Sequence, residues 1–335
     1  MRNSIGIGYV VGALAALAPA AAGAVDKVTF GTNWLAEAEH GGFYQAIVDG
    51  TYAKYGLDVT ILPGGPQANN LILLPAGKID FYMGDDMIQS YSALEQHVPI
   101  VAVASVMQKD PQVVMSHPGV GLDKFEQLKT APIFVSKDAL SSFYRWMEQA
   151  YGFSEDKVKP YTFNAAPFIA DKTSAQQGFL TAEPYEIEKQ GGFKPNVFLL
   201  ADYGFSTYAT LIEARVDTVN QHPDLVQRFI DASMIGWYNY LYGDNAKANA
   251  AIKKDNPDIS DEQIAYSIDR MKQYGIVDSG DTKTLGIGAM TDQHQKDFFD
   301  KMAKAGVVSN DLDYKKSYTL QFVNKKVGLD LAPKN

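Results

Sequence analysis

The sequence holds no cysteine. That excludes disulfides, thiol nucleophiles and Cys-ligated zinc or iron–sulfur clusters. It also leaves no residue for a bacterial lipid anchor. Histidine is scarce, and no pair of His and carboxylate residues stands at a recognisable metal-ligand spacing. Neither a metal nor a cofactor is expected. No run of five like charges and no low-complexity stretch occurs, which argues against polybasic arms and disordered tails. A G-x-S-x-G elbow, an H-E-x-x-H helix and a convincing pair of catalytic carboxylates are also missing. Positive charge is in deficit: the net charge is −9 and the pI about 5.1. An acidic surface repels phosphates, so nucleic acid is not an expected partner.

What is present is a globular composition, 46% hydrophobic, over 335 residues, enough for two α/β lobes. Arg2 precedes an apolar stretch from Ile5 to Leu17, followed by Pro19 and small residues ending Ala22-Gly23-Ala24. A positive start, a short apolar segment and an A-x-A pattern predict a cleaved signal peptide over 1–24. The stretch is short and glycine-interrupted, which argues against a membrane anchor. A mature protein free in the periplasm follows.

Beyond the leader runs a βα rhythm. Strands are predicted at Val28–Gly31, Gly56–Leu62, Ile79–Met83, Pro99–Met107, Val113–Met115, Ile133–Val135, Val158–Phe163 and Val197–Ala201. Between them the 3.6-residue period predicts helices over Glu37–Tyr52, Asn69–Ala76, Asp86–Glu95, Ser136–Gly152 and Ser174–Leu180. Thr207–Glu213 reads as a strand returning to the first lobe. A helical tail follows at Pro223–Tyr240, Asp261–Tyr274 and Asp292–Ala305, with Ser260 and Gln263 as a capping box. Parallel βα units present ligands at the carboxyl ends of their strands, so two such lobes predict a cleft that closes around a small molecule.

The residues that carry a family likeness are Asn33-Trp34, Glu39-His40-Gly41-Gly42-Phe43-Tyr44 and Gly56-Leu57-Asp58-Val59. They continue in Pro63-Gly64-Gly65-Pro66, Ala76-Gly77-Lys78-Ile79-Asp80-Phe81, Gly84-Asp85 and Thr181-Ala182-Glu183-Pro184-Tyr185. In this order and spacing they resemble the NMT1/THI5-like (SsuA/ThiY-type) binding proteins over residues 28–240. The resemblance implies a two-lobed periplasmic-binding-protein fold of type II with two crossover hinge segments. Lobe one would be 28–105 plus 210–320, and lobe two 106–209. It further implies the soluble receptor of an ABC importer, with a permease and its ATPase subunit as partners. The same family includes a pyrimidine-synthesising branch with a histidine and a cysteine-rich iron motif. The missing cysteines and the export signal disfavour that enzymatic reading.

Candidate ligand contacts lie at strand ends. Trp34 offers a face for stacking, beside Asn33. Glu39 and His40 open the first helix, where Gly41 and Gly42 would let a ligand approach the backbone. Gly64 and Gly65 would expose amides after strand two. One of Asp85 and Asp86 caps the next helix, the other accepts from a ligand, and Gln89 faces the same space. Lobe two adds Ser136 at a strand end, Tyr144 and Tyr203 as aromatic candidates, and Glu183 and Tyr185, which lie in the motif that resembles the family's ligand-contacting segment. Several are carboxylates and none is an arginine, which favours a neutral or cationic, nitrogen-rich planar ligand such as an aminopyrimidine or thiamin precursor. An alkanesulfonate, taurine or nitrate receptor is the alternative. No heptad pattern marks a dimer, so a monomer is expected.

Overall fold

The computed structural model describes residues 25–66 and 68–333; the 1–24 segment lies outside the described residues. Ten strands form two mixed five-stranded sheets. Sheet one takes β1 (Asp26–Gly31), β2 (Leu57–Leu62), β3 (Phe81–Asp86), β4 (Ile100–Met107) and β10 (Ala209–Arg215), in the order β2-β1-β3-β10-β4. Sheet two takes β5 (Gln112–Ser116), β6 (Ile133–Val135), β7 (Val158–Pro160), β8 (Ala175–Phe179) and β9 (Asn196–Leu199), in the order β7-β6-β8-β5-β9.

The two sheets have the same plan. In each, the antiparallel strand is the one that enters directly after the chain has crossed from the other lobe: β10 between β3 and β4, and β5 between β8 and β9. All other strands of a sheet run parallel, so their carboxyl ends share one edge. β4 is buried along its whole length, as its unbroken apolar run requires. Its outer edge is covered by the carboxyl-terminal region: Thr319 N–H donates to the Ala102 carbonyl, and Ser105 N–H to that of Gly288.

Two segments connect the lobes. Gln108–Pro111 is pinned to lobe one, where the Gln108 N–H donates to the Ile276 carbonyl at 2.7 Å and its side chain to that of Ala289 at 2.9 Å. In the second, Leu200–Tyr208, the Tyr208 ring stacks on His294 with centroids 3.9 Å apart, and its hydroxyl donates to Asp281 at 3.1 Å.

Several sequence expectations need correction. Ser174–Leu180 is not helical; it holds β8, bonded between β6 and β5, with the buried side-chain Oε1 of Gln177 accepting from Ser136 N–H at 2.6 Å. Glu37–Tyr52 is not one helix. Ala38–His40 is a 3-10 turn, Gly41–Val48 is α-helical, and the chain breaks where Asp49 accepts from Thr51 N–H and Gly50 takes φ +74°. Of the capping box, Ser260 accepts from Gln263 N–H at 3.1 Å.

The Gly41–Gly42 pair has a packing role. A Cβ on Gly41 would lie 2.0 Å from the Tyr240 ring, and one on Gly42 would lie 2.2 Å from the Trp237 ring. Both rings belong to the long helix Pro223–Tyr242, so the glycines let two backbones approach rather than a ligand. Gly42→Ala is therefore expected to destabilise by about 1–3 kcal/mol through overpacking. Gly50→Ala, with open space around it, should cost about 1 kcal/mol from its left-handed backbone alone. Urea titration of both variants checks this; equal losses would show that the helix contact is not tight.

Candidate functional site

The carboxyl ends of β1, β2 and β3 face those of β6, β7 and β8 across a cleft, and side chains from both lobes meet there. The Trp34 ring, just beyond β1, lies 4.8 Å from the Phe163 ring of lobe two, which lies 5.3 Å from Tyr161. Phe163 is 48% exposed and takes φ +59°, a left-handed backbone rare for a bulky residue and typical of clamp positions. Tyr161 donates from its hydroxyl to Glu183 at 3.1 Å, and Phe179 N–H donates to the same carboxylate at 2.7 Å. Beside Tyr161 a hollow of about 410 Å³ opens, lined by Val135, Leu140, Pro160 and the exposed Lys137.

On lobe one, Asn33 donates from its amide to Asp85. Gln89 holds Asp85 from the other side, accepting from its N–H at 3.1 Å and donating to its carboxylate at 3.3 Å. Asp86 caps the Met87–Glu95 helix by accepting from Ile88 and Gln89 N–H groups. Of the two aspartates Asp86 is the cap, while Asp85 accepts from Asn33 and Gln89. Below them lies Glu213 of β10, fully buried, one oxygen accepting from Ser90 at 2.6 Å and the other unpartnered. β10 is distorted here: Thr210 takes φ +50° and the register with β4 shifts between Ile212 and Glu213. Such bulges re-aim side chains beside sites.

The electrostatics follow from desolvation. Burial raises Glu213 and Glu183 to about 7, with hydrogen bonds from Ser90 and from Phe179 N–H opposing. Burial and the charge of Asp85 raise Asp86 to about 7. Desolvation between the walls also raises Asp85 itself, against the Asn33 hydrogen bond. Asp110, in the first connecting segment, goes up through burial and then Asp86. Beside this group, His40 is 1% exposed with both ring nitrogens unpartnered, and burial lowers it to about 3, so the ring is neutral. Glu39 is buried next to it and lies against Thr181 of lobe two.

Of the residues expected from the sequence, Asn33, Trp34, Glu39, His40, Asp85, Gln89 and Glu183 come together between the lobes. Ser136 sits at the end of β6, its hydroxyl accepting from Ala139 N–H. Tyr185 reaches across to lobe one further along, with its hydroxyl 3.4 Å from Ser260. Gly64 does not offer its amide to a ligand, because that N–H donates to the Trp34 carbonyl and the Thr32 hydroxyl. Gly65 bridges to Ala68 in the same turn. Tyr144 is fully buried with its hydroxyl on the Ser154 carbonyl, and Tyr203 stacks on Phe125 at 4.2 Å, so both pack inside lobe two. Sequence reasoning missed Tyr161, Phe163, Glu37 and Glu213. For the first two the signal was an aromatic pair at the carboxyl end of a strand; Glu213 gave none, since only the tertiary fold buries it.

Glu213 generates a pH prediction. Its folded pKa lies above the unfolded value, so the folded state keeps a proton that the unfolded chain has lost; the ionised form is disfavoured and stability falls as pH rises from about 4 through 7. Glu213→Gln keeps the bond to Ser90 and removes the titration. Its melting temperature should exceed that of the wild type at pH 8, by about 2–4 °C per kcal/mol relieved, with the gap closing by pH 5. A pH-independent gap in calorimetry would refute the buried-carboxylate argument.

Comparison with known proteins places this geometry. Residues 37–248 match the family model described as NMT1/THI5 like. The riboflavin-binding protein RibY of Chloroflexus aurantiacus is 25% identical over 325 residues, covering 92% of this chain and 89% of that one. The 4-amino-5-hydroxymethyl-2-methylpyrimidine phosphate synthase THI11 of Saccharomyces cerevisiae is 26% identical over 240 residues, 67% of this chain and 69% of its own. Among solved structures, the alkanesulfonate-binding protein SsuA from Xanthomonas axonopodis pv. citri, bound to MOPS, superposes with a TM-score of 0.63 at 12% identity, covering 89% of this chain and 99% of that one. That likeness is one of fold: two lobes of the periplasmic-binding-protein kind. With the family model matched across more than half its length, the chain belongs to the NMT1/THI5-like family.

Proposed function

We propose that this chain is the periplasmic solute receptor of an ABC importer, delivering its ligand to a permease and ATPase, and that the ligand is a small, planar, nitrogen-rich molecule of the pyrimidine or thiamin-precursor type. One observation carries the reading: the polar side chains flanking the Trp34–Phe163 pair present acceptors. Asn33 Oδ1 is unpartnered, and the Asp85 and Glu183 carboxylates, on opposite walls, accept from Asn33, Gln89, Tyr161 and the Phe179 N–H. A ring with exocyclic amino groups supplies N–H donors to such acceptors and a flat face to the tryptophan. Riboflavin, in the name of the RibY relative, is also a planar nitrogen heterocycle. The leader expected over residues 1–24 fits the same role.

Lys137 on the rim favours the second reading, a sulfonate, taurine or nitrate receptor. The synthase relatives raise a third, an enzyme. A thermal-shift series with aminopyrimidines, flavins, alkanesulfonates and nitrate separates them. The expected result is a higher melting temperature with an aminopyrimidine or flavin, worth about 2.7 kcal/mol at a hundred times its dissociation constant, and lost in Trp34→Ala and Glu183→Ala. A shift with anions alone would transfer the receptor role to the second reading. Mass spectrometry of the recovered ligand addresses the third: a receptor returns it unchanged.

A further inference from the structure

The cleft contains a second acidic group, which shares Glu183 with the reading above. Glu37 and Glu39 come from lobe one, Glu183 and Glu186 from lobe two, and the four converge on one seam. Glu37 is held well above its usual range by burial and then by the charges of Glu39, Glu183 and Glu186. Burial also raises Glu186, with the Gln263 side chain opposing. Like charges gathered from two separately folded bodies repel, and each loses hydration as the lobes meet.

Lys253 pairs with Asp261 at 2.7 Å, Lys189 lies 5.4 Å over the Tyr185 ring, and Arg270 lies 5.1 Å over the Tyr266 ring with its Nε unpartnered. Within the seam stands His40, 1% exposed, with neither ring nitrogen hydrogen-bonded and Nε2 3.9 Å from Glu37. A buried imidazole with no partner is costly unless something that is neither Glu37 nor the backbone completes it. The seam also joins the aromatic patch, since Glu183 accepts from Tyr161, which packs on Phe163.

We propose that Glu37, Glu39, Glu183 and Glu186, with His40 beside Glu37, form a subsite for a positively charged nitrogen of the ligand, an ammonium or amidinium group that neutralises the seam and draws the lobes together. The inference rests on the receptor reading and narrows it, from nitrogen-rich to cationic. An ammonium offers three donors to the carboxylates, and neutral His40 accepts through one nitrogen.

The experiment is titration calorimetry at pH 7 with two matched probes: an aminopyrimidine bearing an aminomethyl arm, protonated at this pH, and its neutral hydroxymethyl counterpart. Putrescine serves as a ring-free cation and ethanesulfonate as an anion. The aminomethyl probe is expected to bind at least about tenfold tighter than the hydroxymethyl probe, the scale of one charge-assisted interaction. In Glu37→Gln/Glu186→Gln that ratio should shrink to within about threefold. Glu37→Gln alone, at a side chain 20% exposed, gives a milder variant if the double one folds poorly, which circular dichroism reports. Equal affinities for the two probes, or a ratio unchanged in the variants, would overturn the subsite and leave the receptor reading in place. Binding of putrescine without either pyrimidine, weakened in the variants, would support the subsite and displace the planar ring. Binding of ethanesulfonate alone would overturn both.

Discussion

Strand β10 sits inside sheet one, bonded on one side to β3 and on the other to β4. The chain leaves lobe one after Met107 and returns at Ala209, so this interior position is filled by a segment that follows all of lobe two in the sequence. Sheet one therefore depends on a contact distant in sequence, and its ladder fixes where the second connecting segment begins. Any motion of one lobe against the other must be absorbed between Gln108 and Pro111 and between Leu200 and Tyr208. The same strand carries Glu213 beneath Gly84, where a Cβ on the glycine would meet the carboxyl carbon at 2.9 Å. The strand that closes the sheet thus also sets a buried carboxylate under the ligand wall.

That placement explains the electrostatic character of the cleft. Lobe one contributes Asp85, Asp86 and Glu213, and lobe two contributes Glu183, in a space where desolvation raises all four. Hydrogen bonds from Asn33, Ser90, Tyr161 and the backbone at Phe179 compensate in part. What remains is a cleft rich in acceptors. Such clustering destabilises the unliganded closed form, so the binding free energy of a solute is partly relief of repulsion already present in the protein.

The sequence made the βα rhythm legible wherever a strand was a short apolar run, as at β1, β4 and β6. It failed at β8, where Ala175-Gln176-Gln177-Gly178 lacks β-branched residues and becomes a strand through pairing with β5 and β6. The glycine pair at 41–42 was misread because flexibility and close packing need the same residue, and only the position of Trp237 and Tyr240 distinguishes them. Strand-end reasoning located Asn33, Trp34 and Asp85, since those positions follow from the direction of parallel strands, whereas Glu183 was found through the motif Thr181–Tyr185 because β8 before it reads as a helix. It could not sort tyrosines: Tyr144 and Tyr161 have the same chemistry, and the tertiary fold puts one in the core of lobe two and the other on the cleft.

The packing that misled the glycine reading also matters for how the cleft works. Because Gly41 and Gly42 bring the first helix against Trp237 and Tyr240, its opening turn with Glu39 and His40 rests on the rigid helical body of lobe one. On the facing wall, Phe163 is exposed in a left-handed backbone at the end of β7, an edge strand of three residues. One wall is thus buttressed and the other ends in an aromatic clamp on a sheet edge. Lobe one can then hold the polar end of a solute in fixed geometry, while Phe163 adapts to the shape of what stacks on Trp34.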